Sequence, residues 1–339
     1  MTGGWGKIII YPTYLFIKHM RRSVFYICFV ALFATCGQNY FGETVRFMLE
    51  DSVIIDSHGL LNLAHADEYG NMLIVNKDTR QVIRYNATSG ECDVVQTQLR
   101  GIANVFQICD TLLFVDGLPS FAFMSPSDAD PVYIPRTMDM TSNAIMSKGN
   151  VNIAGIDLTG DNTWFAINSF DPSDADAVPI HVVTIEPRAK VDDYLLTGHL
   201  LKTNNRIAFI FDWLGEYYVI DGHTDSLVKY GTLPLLGEAD KFETQGDIPY
   251  YQAYSADVFR DSLIFVLREV DFETVNPKLP TEKELLLTLR RRIHVFDEDM
   301  LPVASGMLPY RATQIRISGD KLYALHHGEN KIYRYRIVF

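Results

Sequence analysis

The chain is poor in cysteine, tryptophan and positive charge, and each shortage excludes something. Four cysteines in 339 residues cannot staple a fold of this length, so stability has to come from a buried apolar core rather than a disulfide framework. No apolar run approaches the ~20 residues of an ordinary membrane-spanning helix. Lys and Arg number 30 against 42 Asp and Glu, a net charge of −12. That balance excludes a generally phosphate-binding surface, and nucleic acid is not an expected partner. The one dense basic run, Arg290 to Arg292, leads straight into the strand-like Ile293 to Phe296 and reads as a solvated strand edge. Also absent are a Gly-x-Ser-x-Gly elbow, a His-Glu-x-x-His pair and a Cys-x-x-Cys motif.

What is present is a repeated hairpin. In Gly70 to Gly90 an apolar run, Met72 to Val75, ends on Asn76, and a polar connection leads to a second run, Gln81 to Tyr85. Two β-rich runs joined by turn residues mark an antiparallel hairpin. The pattern returns as CDTLLFVD (109–116), GDNTWFAIN (160–168), NNRIAFIFD (204–212), RDSLIFVLR (260–268) and GDKLYALHH (319–327). Repeats spaced roughly 40 to 60 residues apart, each built of short strands, point to the blades of an all-β propeller with six blades. The last unit supplies only three strands, whereas Thr44 to Leu49 or Ser52 to Ile55 lacks a partner in its own unit. That early strand is therefore expected to close the ring as the outer strand of the last blade, removing an exposed edge.

Residues 1–36 differ in kind. Met20-Arg21-Arg22 precede an apolar segment, Val24 to Phe33, and a small-residue exit, Ala34-Thr35-Cys36-Gly37. These are the parts of a secretory signal, and with Met20 opening it translation is expected to start there rather than at Met1. Leu32 to Cys36 resembles the lipobox of bacterial lipoproteins, with Phe33 and Thr35 departing from the usual Leu and Gly or Ala. That resemblance implies a lipid on Cys36, the other readings being an ordinary signal peptide cut nearby or an uncleaved anchor; a tether is expected over 37–43 and the propeller over 44–339. Cys92 and Cys109 fall in neighbouring repeats and can be a disulfide or two free thiols.

A signal followed by six irregular blades with these hairpins resembles the TolB-like six-bladed propellers of bacterial envelopes, and more loosely the NHL-type propellers. The resemblance covers about Thr44 to Phe339 and implies an exported or lipid-anchored protein of the periplasm or outer membrane. The TolB-like resemblance leaves the role open, whereas the NHL likeness implies ligand or protein binding. The chain is expected to be a binding or scaffold module at the cell envelope, meeting an envelope protein or a small polar or glycan ligand, and the membrane through the N-terminal lipid.

Each repeat's second strand ends on a polar residue: Asn76, Asp116, Asn168, Asp212, Arg268 and His326. If those strands run towards one face, the six ring the channel mouth and form a site for a polar ligand or cation. The same positions also suit ordinary turns, which favour Asn and Asp. No cofactor is expected, Ca2+ being the one cation these oxygens would take. Two near-duplicate Asp-x-Asp stretches (Asp128, Asp130; Asp174, Asp176) and the insertion 271–285 fall on the same side. Trp213, Tyr217 and Tyr218 would suit a sugar or peptide surface, or the packing between blades. The rival reading is a metal-dependent hydrolase of lactonase type, built on Asp116, Asn168 and Asp212.

Overall fold

A computed structural model describes residues 43–95, 104–108, 111–115, 122–126, 132–133, 140–147, 149–157, 164–171, 180–185, 197–212, 215–233, 255–270 and 290–339. The regular elements among them are β-strands and one 3-10 turn, His327–Glu329. The chain enters through β1 (Glu43–Thr44) and β2 (Arg46–Ile54). A first sheet follows: β3 (Leu61–Ala66), β4 (Met72–Asn76), β5 (Gln81–Tyr85) and β6 (Cys92–Val95). The second holds β7 (Asn104–Ile108), β8 (Thr111–Val115), β9 (Ala122–Pro126) and β10 (Val132–Tyr133). The third holds β11 (Met140–Ser147), β12 (Asn150–Asp157), β13 (Trp164–Phe170) and β14 (Ile180–Ile185). In the fourth are β15 (Gly198–Lys202), β16 (Arg206–Phe211), β17 (Glu216–Asp221) and β18 (Leu227–Thr232). The fifth comprises β19 (Ser255–Phe259), β20 (Leu263–Val270), β21 (Arg290–Phe296) and β22 (Pro302–Ala312), with β1 added outside β22. The sixth comprises β23 (Gln314–Ser318), β24 (Lys321–His326) and β25 (Lys331–Val338), with β2 outermost.

Within every sheet, strands consecutive in sequence pair antiparallel, as short polar turns dictate. The innermost strands β3, β7, β11, β15, β19 and β23 lie side by side in that order, and β23 returns to β3. Antiparallel sheets set radially about one axis make a β-propeller.

Strand periodicity builds the core. On β16, Ile207, Phe209 and Phe211 face the third sheet's Ala154 and Ile167, whereas Ala208 and Ile210 face the fifth sheet's Ile264 and Val266. A middle strand is thus covered on both faces, and its sequence is continuously apolar rather than alternating. Among the described residues the outer strand β18 has no such cover, and it is exposed along much of its length. The core is therefore a series of inter-sheet seams, and Arg291, expected at a solvated edge, sits half-buried on β21 with its Nε donating to the Leu308 carbonyl at 3.0 Å.

The early strand pairs where expected: β2 runs antiparallel along the whole of β25, Arg46 opposite Val338 and Ile54 opposite Lys331. The two candidate stretches are one strand with a bulge between Leu49 and Asp51. β1 also pairs parallel with β22, so the N-terminal segment bridges two sheets.

One expectation is corrected. The third repeat's hairpin, Val151 to Asn168, is β12 and β13, the second and third strands of its sheet. β11 was not foreseen as a strand. Its sequence, MTSNAIMS, is half polar, and its turn into β12 is centred on Gly149 rather than on an Asn or Asp.

Candidate functional site

In the fourth sheet Gly198 pairs with Phe211, so β15 begins where β16 ends. The same holds for Leu61 with Asn76 and for Gln314 with Leu325. These ends form one rim of the channel, and the predicted mouth residues fare differently along it.

Asn76 is 1% exposed. Its Oδ1 accepts the backbone N–H groups of Asp78 and Thr79 at 3.0 Å each, and its Nδ2 donates to Ser57 Oγ and the His58 carbonyl at 2.8 Å each. Gly59 crosses beneath at φ +119°, where a Cβ would come within 2.9 Å of Asn76 Oδ1. Asn76 is thus committed to building a corner. Arg268, 0% exposed, is enclosed in β20, with Nη1 3.5 Å from His294 Nδ1. Burial, reinforced by Arg268 and Arg292, pushes the His294 imidazole down to about 3, so it is neutral beside the guanidinium. Asn168 lies within the third strand of its sheet, opposite Ile153 and His181, and does not share the position of the others. Asp116, the Asp-x-Asp stretches, the insertion 271–285, Trp213, Cys36 and Cys109 fall outside the described residues. Cys92 is an exposed free thiol.

His326 stays half-buried at the rim; its Nδ1 accepts the Glu329 N–H at 3.2 Å, and its Nε2 lies 3.9 Å from Glu329 Oε1. Asp212 follows β16 directly and is fixed by its N–H to the Thr197 carbonyl at 2.9 Å. Its Oδ1 faces His199 Nε2 across 3.1 Å, with the two side chains 16% and 15% exposed. Neither of these buried atoms has an aligned hydrogen bond. An imidazole nitrogen and a carboxylate oxygen at that separation need a proton or cation between them, or a polar group that engages both. His199 lies on an innermost strand, where no polar residue after an apolar run marks it in the sequence.

The innermost strands carry a further polar set. Gln314 Oε1 accepts the Leu63 N–H at 2.8 Å, and Arg316 Nε donates to the Ala64 carbonyl at 3.1 Å. Ser255 Oγ accepts the Ile315 N–H at 3.1 Å, and Asp257 Oδ2 that of Ile317 at 2.7 Å. These side chains join β19 to β23 and β23 to β3. Burial raises the Asp257 carboxyl against the pull of Arg316, and burial lowers His65 on β3. Their sequence signal is polar residues at every second position, as in Ser255-x-Asp257 and Gln314-x-Arg316. Tyr217 and Tyr218, read as a sugar surface or packing, are packing: they are 7% and 6% exposed and lie on opposite seams. Among the described residues no three His, Cys, Asp or Glu side chains gather as a metal-binding group.

No protein-family model and no curated protein matches the chain. Solved structures do. A luciferin-regenerating enzyme aligns with a TM-score of 0.56 at 11% identity, over 85% of this chain and 95% of its own. A gluconolactonase from Xanthomonas campestris aligns at 0.55 and 8% identity, over 86% and 97%. Virginiamycin B lyase from Staphylococcus aureus aligns at 0.51 and 9% identity, over 86% and 100%. Identities this low carry the fold alone, and the fold is the β-propeller.

Proposed function

We propose that the chain is an exported, lipid-anchored, six-bladed propeller of TolB-like type that binds a small polar or glycan ligand, or an envelope partner presenting one. The six sheets and their cyclic inner strands support the blade number. The signal-like segment and Cys36 support export and anchoring. The observation that carries the binding reading is the His199–Asp212 pair, two facing polar atoms at the rim without aligned hydrogen bonds. A ligand hydroxyl or amide satisfies both, donating to the carboxylate and accepting from an imidazole N–H. His326 adds a second polar group on the same rim.

The lactonase-type alternative draws on Asp116, Asn168 and Asp212, and Asn168 stands on a third strand rather than at a second strand's end. That displacement weighs against one shared cation cage and favours binding. A thermal-shift screen of residues 37–339 against Ca2+, peptidoglycan fragments and oligosaccharides, beside a lactone-hydrolysis panel, tests the choice. A saturable rise in melting midpoint without turnover supports binding; lactone turnover contradicts it.

A further inference from the structure

The fifth and sixth sheets expose large apolar side chains where the chain enters the domain. Met48 and Ile54 on β2 are 57% and 67% exposed, and Met307 and Tyr310 on β22 are 50% and 47% exposed. β2 and β22 are neighbours, and Tyr310 stacks flat on Tyr333 of β25 with ring centroids 4.6 Å apart; Leu49 (44% exposed) and Ile54, opposite Tyr335 and Lys331, lie on that same face of the sixth sheet, whereas Met48, opposite Arg336, lies on the other. Sheet edges ordinarily carry charge, and grouped exposed apolar side chains mark an interaction site.

The chain indicates what covers this one. β1 holds Glu43 against Ala304 of β22, and 43 − 36 leaves seven residue steps back to Cys36. Fully extended, seven residues reach about 25 Å. An acyl group at Cys36 thus keeps this edge closer to lipid than the outer strand β18 of the fourth sheet, where Val228 and Tyr230 are 49% and 55% exposed.

We propose that the face formed by Leu49, Ile54 and Tyr310 seats against the bilayer and sets how the propeller stands on the membrane. This rests on the lipid-anchor reading. A few side chains bind lipid weakly by themselves, but a short tether makes the contact intramolecular and raises their effective concentration. Tyr310 suits the interfacial layer, with an apolar ring and a polar tip.

The test separates the two readings. Intact mass of the native protein reports whether Cys36 carries lipid; a mature chain without it removes the anchor reading. The docking contact is tested on residues 36–339 with Cys92→Ser and Cys109→Ser, joined through Cys36 to a maleimide lipid in phosphatidylethanolamine/phosphatidylglycerol vesicles. A benzoylphenylalanine photo-crosslinker replaces Ile54, Tyr310 or Val228 in turn. Lipid adducts at 54 and 310, lost when the protein is left untethered and absent at 228, are expected. Equal adducts at all three positions, none at 54 and 310, or crosslinks between protein copies there overturn the proposal.

Discussion

Arg316 on one innermost strand donates its Nε–H to the carbonyl of Ala64 on the next, 252 positions away in the chain. With Gln314 to Leu63, Ser255 to Ile315 and Asp257 to Ile317, it makes a run of side-chain staples across the fifth, sixth and first sheets. The sixth sheet is the one built from both ends of the chain, through β2 and β25, so the staples lie where the ring is closed.

Removing a staple leaves a backbone group near the channel without its partner, which costs about 1–3 kcal/mol. Gln314→Ala and Arg316→Met are each expected to lower unfolding free energy by that order, measured by urea denaturation. An unchanged urea midpoint in both variants would show that water replaces the bonds without loss.

Ring closure predicts a larger effect. Phe47 of β2 is 6% exposed in the seam with Phe265 and Ile337, so Phe47→Ala should cost ~3–5 kcal/mol. Deleting residues 43–56 should destabilise the whole propeller rather than one blade. Calorimetry showing an unshifted melting midpoint after that deletion would refute closure by β2.

His294 gives the pH dependence a definite sign. Its pKa falls from 6.5 in the unfolded chain to about 3 in the fold, so the unfolded state binds the proton more tightly. Its contribution is complete above pH 6.5 and is lost as the pH falls towards 3, with a slope up to about 1.4 kcal/mol per pH unit. His65, also lowered, acts in the same direction. Asp257, raised, acts oppositely, holding its proton in the fold and gaining stability on acidification above its ordinary 3.8. Urea midpoints from pH 7 to pH 4 should therefore decline, and His294→Gln should flatten the decline. A slope unaltered by that substitution contradicts the assignment.

The turn between β19 and β20 holds two non-glycine residues in left-handed conformation, Arg260 at φ 49° and Asp261 at φ 52°. Glycine reaches that region without strain, and the Asp261 carbonyl that accepts the Asn204 N–H at 2.6 Å is kept by any residue. Asp261→Gly should stabilise by about 0.5–1 kcal/mol, set against the added freedom of the unfolded chain. Arg260 is better kept, since its guanidinium lies over the Phe259 ring at 4.8 Å. A destabilised Asp261→Gly would show a role for that carboxylate.

Much of the scaffold was legible because middle strands read directly as apolar runs bounded by turn residues, MLIVN on β4 and RIAFIF on β16. Pairing of the early strand with the last sheet followed from counting strands that lacked partners. What escaped notice were strands without that signature: β11, half polar, and β22, which carries two prolines at 302 and 309. Missing β11 moved Asn168 by one strand. The site was less legible still. A polar residue after an apolar run is a half-buried partner of His199 at Asp212, a corner brace at Asn76 and a buried cation at Arg268, and only the surrounding strands distinguish these.

The most direct test of the mouth as a binding site compares wild type with Asp212→Asn and His199→Gln, titrated calorimetrically with a ligand from the thermal-shift screen. Both variants retain side-chain size and leave the seams untouched, so melting midpoints without ligand should stay near wild type. The account predicts that each weakens binding tenfold or more, about 1.4 kcal/mol or beyond. Affinity unchanged in both variants would contradict it and move the site away from the His199–Asp212 rim.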